Sequence, residues 1–195
     1  LDIGKKTATK IQVKNSPAPR KLCGCISLQN SIITVGGRGD KKRYQDVWML
    51  TKRGKKWLWQ EVKDLNVPKQ VCYNSALFFK RHLVSFWQYS TAAGMDAFVD
   101  YCAPFDIEAS EDFNLDKIQL IPNELEPRYG ITVSSVDDEV LIAFGGGTTD
   151  LVFNDVYLFQ AGSEGWIKCK IDGEYPNHRL FHSASVIGSK IVIFG

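Results

Sequence analysis

A chain of 195 residues, 44% hydrophobic and 24% charged with a formal charge of +2, has the composition of a soluble globular protein rather than a disordered one. Its longest apolar runs, at 140–144 and 191–194, are far too short for a helical membrane span, so no membrane partner is expected. Five cysteines without a CxxC pair point away from a disulfide framework and towards a reduced cytoplasmic setting, with the nucleus as the other compartment.

The near-neutral total conceals segregation. Residues 1–63 carry +11, residues 64–94 carry +2, residues 95–127 carry −8 and residues 128–195 carry −3. Such an asymmetry speaks to partners rather than to fold.

In chain order, residues 1–16 read as the end of one unit: a strand ending at 1–3, a turn at 4–7 and a strand over 8–13. Residues 17–66 are a full unit. Pro19-Arg20 leads through Ser27-Leu28 to Ile32-Ile33-Thr34-Val35-Gly36-Gly37, then Asp46-Val47-Trp48, then Trp57 eleven positions after Asp46. Residues 67–122 are a degenerate unit, in which Arg81 to Phe86 takes the second strand, Trp87-Gln88 replaces the glycine pair and 114–120 forms the last strand. Residues 123–173 repeat the full pattern through Pro127-Arg128, Val140 to Phe144, Gly145-Gly146, Asp155-Val156-Tyr157 and Trp166. Residues 174–195 start another unit with Arg179, His182-Ser183 and Ile191 to Gly195.

The spacings agree. Arginine and glycine are 16, 17 and 16 positions apart, and the arginines are separated by 108 and 51 residues. A period near 50 with four short apolar runs per unit predicts one four-stranded blade per repeat. A run of consecutive apolar residues such as Val140 to Phe144 is a strand covered on both faces. The glycine pair allows a bend where that strand ends, and Trp57 and Trp166 are expected to fill space between blades.

The arginine lead-in, the glycine pair after an apolar strand, the Asp-Val-aromatic strand and the later tryptophan together resemble the kelch repeat. The resemblance implies an all-β fold, a kelch-type β-propeller of four-stranded antiparallel blades. About three complete blades and two partial ones make an incomplete ring, so the remaining blades are expected from the rest of the protein or from another chain.

A meander sends its turns alternately to the two ends of each blade. One end receives Lys5 and Lys6 together with Lys52, Arg53, Lys55 and Lys56, a basic sector beside the acidic connection at 106–112. Solvated turn lysines, or a functional patch that meets an acidic partner or RNA, are the two readings of that sector. The other end receives the loops after the glycine pairs, with Arg38, Lys41, Lys42 and Arg43, and the lead-in residues Arg20, Arg128 and Arg179. These seven are the candidate partner-binding residues. Each arginine of the lead-ins could grip a carboxylate or phosphate or bond the carbonyls of a neighbouring loop.

No catalytic or metal constellation emerges, and no cofactor is expected. Arg38-Gly39-Asp40 reads as a loop rather than an adhesion signal, and Gly145-Gly146-Gly147 lacks the lysine and helix of a phosphate cradle. Cys23-Gly24-Cys25 puts two thiols on one strand face, and small buried packing residues are the expectation there. His82, His178 and His182 have no metal or catalytic spacing. The leading expectation is a non-catalytic scaffold that binds a protein partner through its loop faces. The alternative is the propeller of a multidomain enzyme, such as a carboxyl-methyltransferase-like enzyme of tRNA wybutosine synthesis, whose catalytic domain lies elsewhere.

Overall fold

Short apolar runs joined by tight turns bury their backbone polar groups most directly by pairing with the next run, which gives antiparallel meanders. A computed structural model describes residues 4–28, 30–63, 75–80, 82–86, 90–91, 94–95, 99–104, 125, 128–137, 139–163 and 165–195. Among these residues there is no helix, and every ladder is antiparallel.

The first sheet runs in the order β1 (Gly24–Leu28), β2 (Ser31–Val35), β3 (Val47–Arg53) and β4 (Lys56–Val62). The second is built from β5 (Ser75–Phe79), β6 (His82–Phe86) and β9 (Val99–Pro104), with the small pair β7 (Ser90–Thr91) and β8 (Gly94–Met95) between β6 and β9. The third repeats the first: β10 (Thr132–Asp137), β11 (Val140–Phe144), β12 (Val156–Gln160) and β13 (Ile167–Lys168). A final hairpin joins β14 (Ser183–Ile187) to β15 (Lys190–Phe194).

The sheets stack through their first strands, β1 on β5, β5 on β10 and β10 on β14. They do not close into a ring. Between the first and second sheets lie Ile26, Ile33, Val35 and Val47 against Leu83. Between the second and third lie Leu77, Phe79 and Val84 against Leu141, Ala143, Tyr157, Phe159 and Trp166. Adjacent Leu83 and Val84 thus feed opposite cores, which is why the inner runs are apolar on both faces. Phe159 is the pivot of the second core, with ring centroids 6.3 Å from Phe79 and 5.7 Å from Trp166.

Several details differ from expectation. Residues 8–13 carry no strand, and only Thr7 enters a bridge. Trp166 is buried as expected, but Trp57 is half-buried with the Lys52 ammonium 5.8 Å from its ring. The β7–β8 pair was not foreseen, because two-residue strands leave no periodicity to read. The readings at 1–3, 87–88, 106–112 and 114–120 lie outside the described residues.

Candidate functional site

The loop after each inner strand is shaped by its glycine pair. Gly36 and Gly37 adopt φ of 59° and 99°, and Gly145 and Gly146 adopt 66° and 86°, a region where a side chain is strained. The chain then turns back to pair with the lead-in. Lys21 and Arg38 exchange two backbone hydrogen bonds of 2.9 and 2.8 Å, and Tyr129 and Gly147 exchange two of 2.9 Å. The tips close in the same way: Gly39 donates to Lys42 and Thr148 to Leu151, while Tyr44 donates to Gly37 and Phe153 to Gly146.

Two identical scaffolds therefore carry different chemistry. Arg38, Lys41, Lys42 and Arg43 are all exposed on the first, with Lys42 Nζ 5.1 Å from the Tyr44 ring. The corresponding loop of the third sheet exposes Leu151 and Val152.

The lead-in arginines face inwards to bind their own sheets. Arg20 donates to both carboxylate oxygens of Asp46, at 2.5 and 3.0 Å, and to the Gly36 carbonyl at 2.9 Å. Its guanidinium lies 4.2 Å from the Tyr44 ring. Burial alone would raise the Asp46 carboxyl, yet the hydrogen bonds from Arg20 and Trp48 hold it below its ordinary value. Arg128, 1% exposed, donates to Asp155 at 2.5 Å and to the Gly145 carbonyl at 3.3 Å, with Phe153 stacked 3.8 Å away. Lys168 Nζ approaches the other Asp155 oxygen at 3.5 Å. Arg179 donates to the carbonyls of Asn177 and Gly195. Its backbone joins the neighbouring sheet, since Gly146 N–H donates to the Arg179 carbonyl and Arg179 N–H to that of Phe153.

The carbonyls these arginines bond include those of their own sheet, Gly36 for Arg20 and Gly145 for Arg128, and an aspartate is the main partner of Arg20 and Arg128. Sequence reading had not identified Asp46 and Asp155 as their partners, although the recurrence was visible: aspartate follows arginine by 26 and 27 positions.

At the opposite end, Lys5, Lys6, Lys52, Arg53, Lys55 and Lys56 are all exposed. Lys6 and Gly54 both take left-handed backbone, at φ of 50° and 60°, as tight turns require. Toward the middle of the molecule, Cys23, Cys25, Ser75, Thr132 and His182 line a cavity of about 360 Å³ between the first strands. The His182 ring is buried against Phe144, 5.2 Å between centroids, and shares a 2.8 Å hydrogen bond with the Thr132 hydroxyl. Burial first, and the nearby Arg179 charge second, lower its pKa to about 4. Cys25 is exposed and Cys23 half-buried, so the expectation of buried packing thiols does not hold. Among the described residues no group of three or more His, Cys, Asp or Glu is placed to hold a metal ion.

Antiparallel sheets stacked through their inner strands, two of them four-stranded and closed by a glycine-pair loop over an Arg–Asp pair, define a run of propeller-type blades. These blades are similar to kelch repeats. The KLHDC2/KLHL20/DRC7 Kelch-repeats domain matches residues 104–195. The chain is 24% identical over 186 residues to the leucine-zipper-like transcriptional regulator 1 homolog of Drosophila melanogaster, covering 92% of this chain and 18% of that protein. It is 35% identical over 68 residues to human Kelch domain-containing protein 3, covering 35% of this chain and 18% of the relative. A third similarity, 27% over 71 residues, is to tRNA wybutosine-synthesizing protein 2/3/4 of Oryza sativa subsp. japonica, covering 35% of this chain and 7% of that protein. The chain spans less than a fifth of the length of these relatives.

Proposed function

We propose that the chain is a non-catalytic interaction module that holds an acidic segment of a protein partner on Arg38, Lys41, Lys42 and Arg43. The observation that carries this reading is the loop itself: four exposed cations on a tip whose backbone is pinned at both ends. A rigid scaffold presenting charged loops is where recognition concentrates, and pre-ordering lowers the entropic cost of binding. Kelch-domain proteins mediate protein interactions, which agrees with a scaffold role. The lead-in residues Arg20, Arg128 and Arg179 serve this face by holding its loops in place. Free thiols at Cys23, Cys25 and Cys169 suit a cytoplasmic or nuclear setting.

The test uses the full-length protein and fluorescence anisotropy with a panel of acidic peptides. Lys41→Glu/Lys42→Glu/Arg43→Glu should abolish binding, whereas Lys52→Glu/Lys55→Glu/Lys56→Glu at the opposite end should leave it within about twofold. Equal losses from both triples would reduce the effect to net charge.

A second reading has one observation behind it, the similarity to a wybutosine-synthesizing protein together with the exposed basic turns. In it the propeller belongs to a multidomain enzyme and brings RNA to the sector of Lys5, Lys6, Lys52, Arg53, Lys55 and Lys56. Binding to tRNA should then weaken with salt, and each reversed lysine that touches phosphate should flatten the logarithmic slope by about one. An unchanged slope would eliminate this reading.

A further inference from the structure

Cys23 and Cys25 are two residues apart at the start of β1, with Gly24 between them. Strand alternation sends both thiols to the same side, and both line the inner cavity. We propose that Cys23 and Cys25 are a redox pair, which a hydroperoxide entering this cavity converts reversibly to an intramolecular disulfide.

Three features support the chemistry. Cys25 is exposed and Cys23 half-buried, so a small oxidant reaches both. The interaction with Cys25, then those with Thr34 and the backbone and last the charge of Arg20, outweigh the opposing effect of burial and bring the Cys23 thiol down to about 6. The Cys25 thiol moves the opposite way, chiefly through that same interaction, and stays protonated. One sulfur is thus the nucleophile and the other keeps its proton. Cys169 donates to the Ile167 carbonyl, and burial raises its thiol rather than activating it.

The steps balance. The Cys23 thiolate attacks the distal oxygen of the hydroperoxide, the O–O bond breaks, and the alkoxide or hydroxide that leaves takes a proton from solvent. Cys23 is then a sulfenic acid. The Cys25 sulfur attacks it, the S–S bond forms, and the hydroxyl leaves as water with the Cys25 proton. Sulfur is oxidised and peroxide oxygen reduced, two electrons in all. An exogenous dithiol reductant reverses the change.

Closure requires the chain at Cys23–Gly24 to rotate out of fully extended backbone, because a disulfide needs Cβ atoms about 3.5–4.5 Å apart and same-side residues of a strand hold them wider. Two extended residues span about 6.6 Å between Cα atoms, at the upper edge of the disulfide range. The slack lies where it is needed. Cys23 precedes the ladder, which begins at Gly24 paired with Val35, and Leu22 already sits in left-handed backbone at φ 58°. Gly24 itself has no side chain to resist a small rotation. Closure at the limit of the favoured geometry also makes the bond easy to reopen.

Trypsin cuts after Lys21 and Arg38, so one peptide, 22–38, contains both cysteines and no other. The full-length protein is treated with hydrogen peroxide and this peptide is followed by mass spectrometry. The expected product has lost two hydrogens, resists alkylation, and recovers fully with dithiothreitol. In Cys25→Ser the product should become a Cys23 sulfenic acid captured by a dimedone probe, and in Cys23→Ser that adduct should vanish. If a serine variant does not fold, the wild-type peptide still decides. Sulfinic acid at Cys23 without disulfide, a mixed disulfide to another chain, or an unmodified peptide while Cys169 is oxidised would each overturn the proposal.

Discussion

Removing the Arg128 guanidinium is the most informative perturbation of this fold. In Arg128→Ala the Asp155 carboxylate loses a 2.5 Å charge-assisted bond, and the Gly145 carbonyl loses a weaker one at 3.3 Å. Breaking a buried pair costs about 3–5 kcal/mol, because the surviving charge is left without compensation. Asp155 is 13% exposed and keeps Lys168 Nζ at 3.5 Å, which places this pair at the lower end, about 3 kcal/mol. Loss of the stack on Phe153 at 3.8 Å adds about 1 kcal/mol. The sum, about 4 kcal/mol, corresponds to roughly a thousandfold loss of amide protection in β11 and β12 if the third sheet opens as a unit.

Hydrogen exchange followed by mass spectrometry on the full-length protein reads this directly. Two further variants set the scale. Arg20→Ala breaks a more exposed pair, with Asp46 at 24%, and should cost about 2–3 kcal/mol in the first sheet. Arg179→Ala removes only neutral carbonyl contacts and should cost about 1 kcal/mol or less. Replacing both members of the buried pair, Arg128→Met with Asp155→Leu, should recover most of the loss. Uniformly small effects in all three alanine variants, with loss of peptide binding, would refute the reasoning and return the guanidiniums to the partner.

Other predictions follow from backbone and titration. A Cβ at Gly145 would stand 2.7 Å from the Arg179 carbonyl oxygen, so Gly145→Ala should destabilise by more than the ~1–2 kcal/mol of left-handed strain alone. Gly54→Ala meets nothing within 4 Å and should cost only that strain, and urea titration of both separates clash from conformation. His182 titrates at about 4 when folded against about 6.5 unfolded, so its contribution is complete above pH 6.5. It is lost as pH falls from 6.5 to 4, when the unfolded chain takes up the proton first, at a cost on the order of 3 kcal/mol. His182→Gln should flatten the stability profile across that window, measured by denaturation at a series of pH values. Iodoacetamide labelling of Cys23 should reach half its maximal rate near pH 6, while Cys169 should require a higher pH than a free thiol.

The fold was legible because its signals are local. The bend at Gly36-Gly37 demands residues without a Cβ, and a strand covered on both faces must be apolar throughout, so each unit left the same mark at the same spacing. The Arg–Asp pairing was half legible: both residues recur, but a contact across 26 residues leaves no trace in either alone. Exposure was not legible at all for Cys25. A side chain on a strand is buried by the sheet stacked against it, and alternation says which way it points without saying what it meets. Ile33, on the opposite face of the first sheet, meets Leu83 and is fully buried for that reason.

The division between scaffold and chemistry is sharpest in the paired loops. Lys21, Arg38, Lys42 and Tyr44 make the same backbone bonds as Tyr129, Gly147, Leu151 and Phe153, yet no side chain is shared between the two sets. Backbone bonds and glycine dihedrals hold the loop and Tyr44 and Phe153 stack on the lead-in arginines, so the remaining tip side chains can differ freely. In the first sheet they supply charge. In the third they supply apolar surface, with Leu151 60% exposed and Phe181 of the following lead-in 54% exposed and stacked 5.8 Å from Tyr129. A partner that used both loops would therefore need carboxylates for one and an apolar side chain for the other. Charge reversal at Lys41–Arg43 would then slow its association, whereas Leu151→Ser would speed its dissociation.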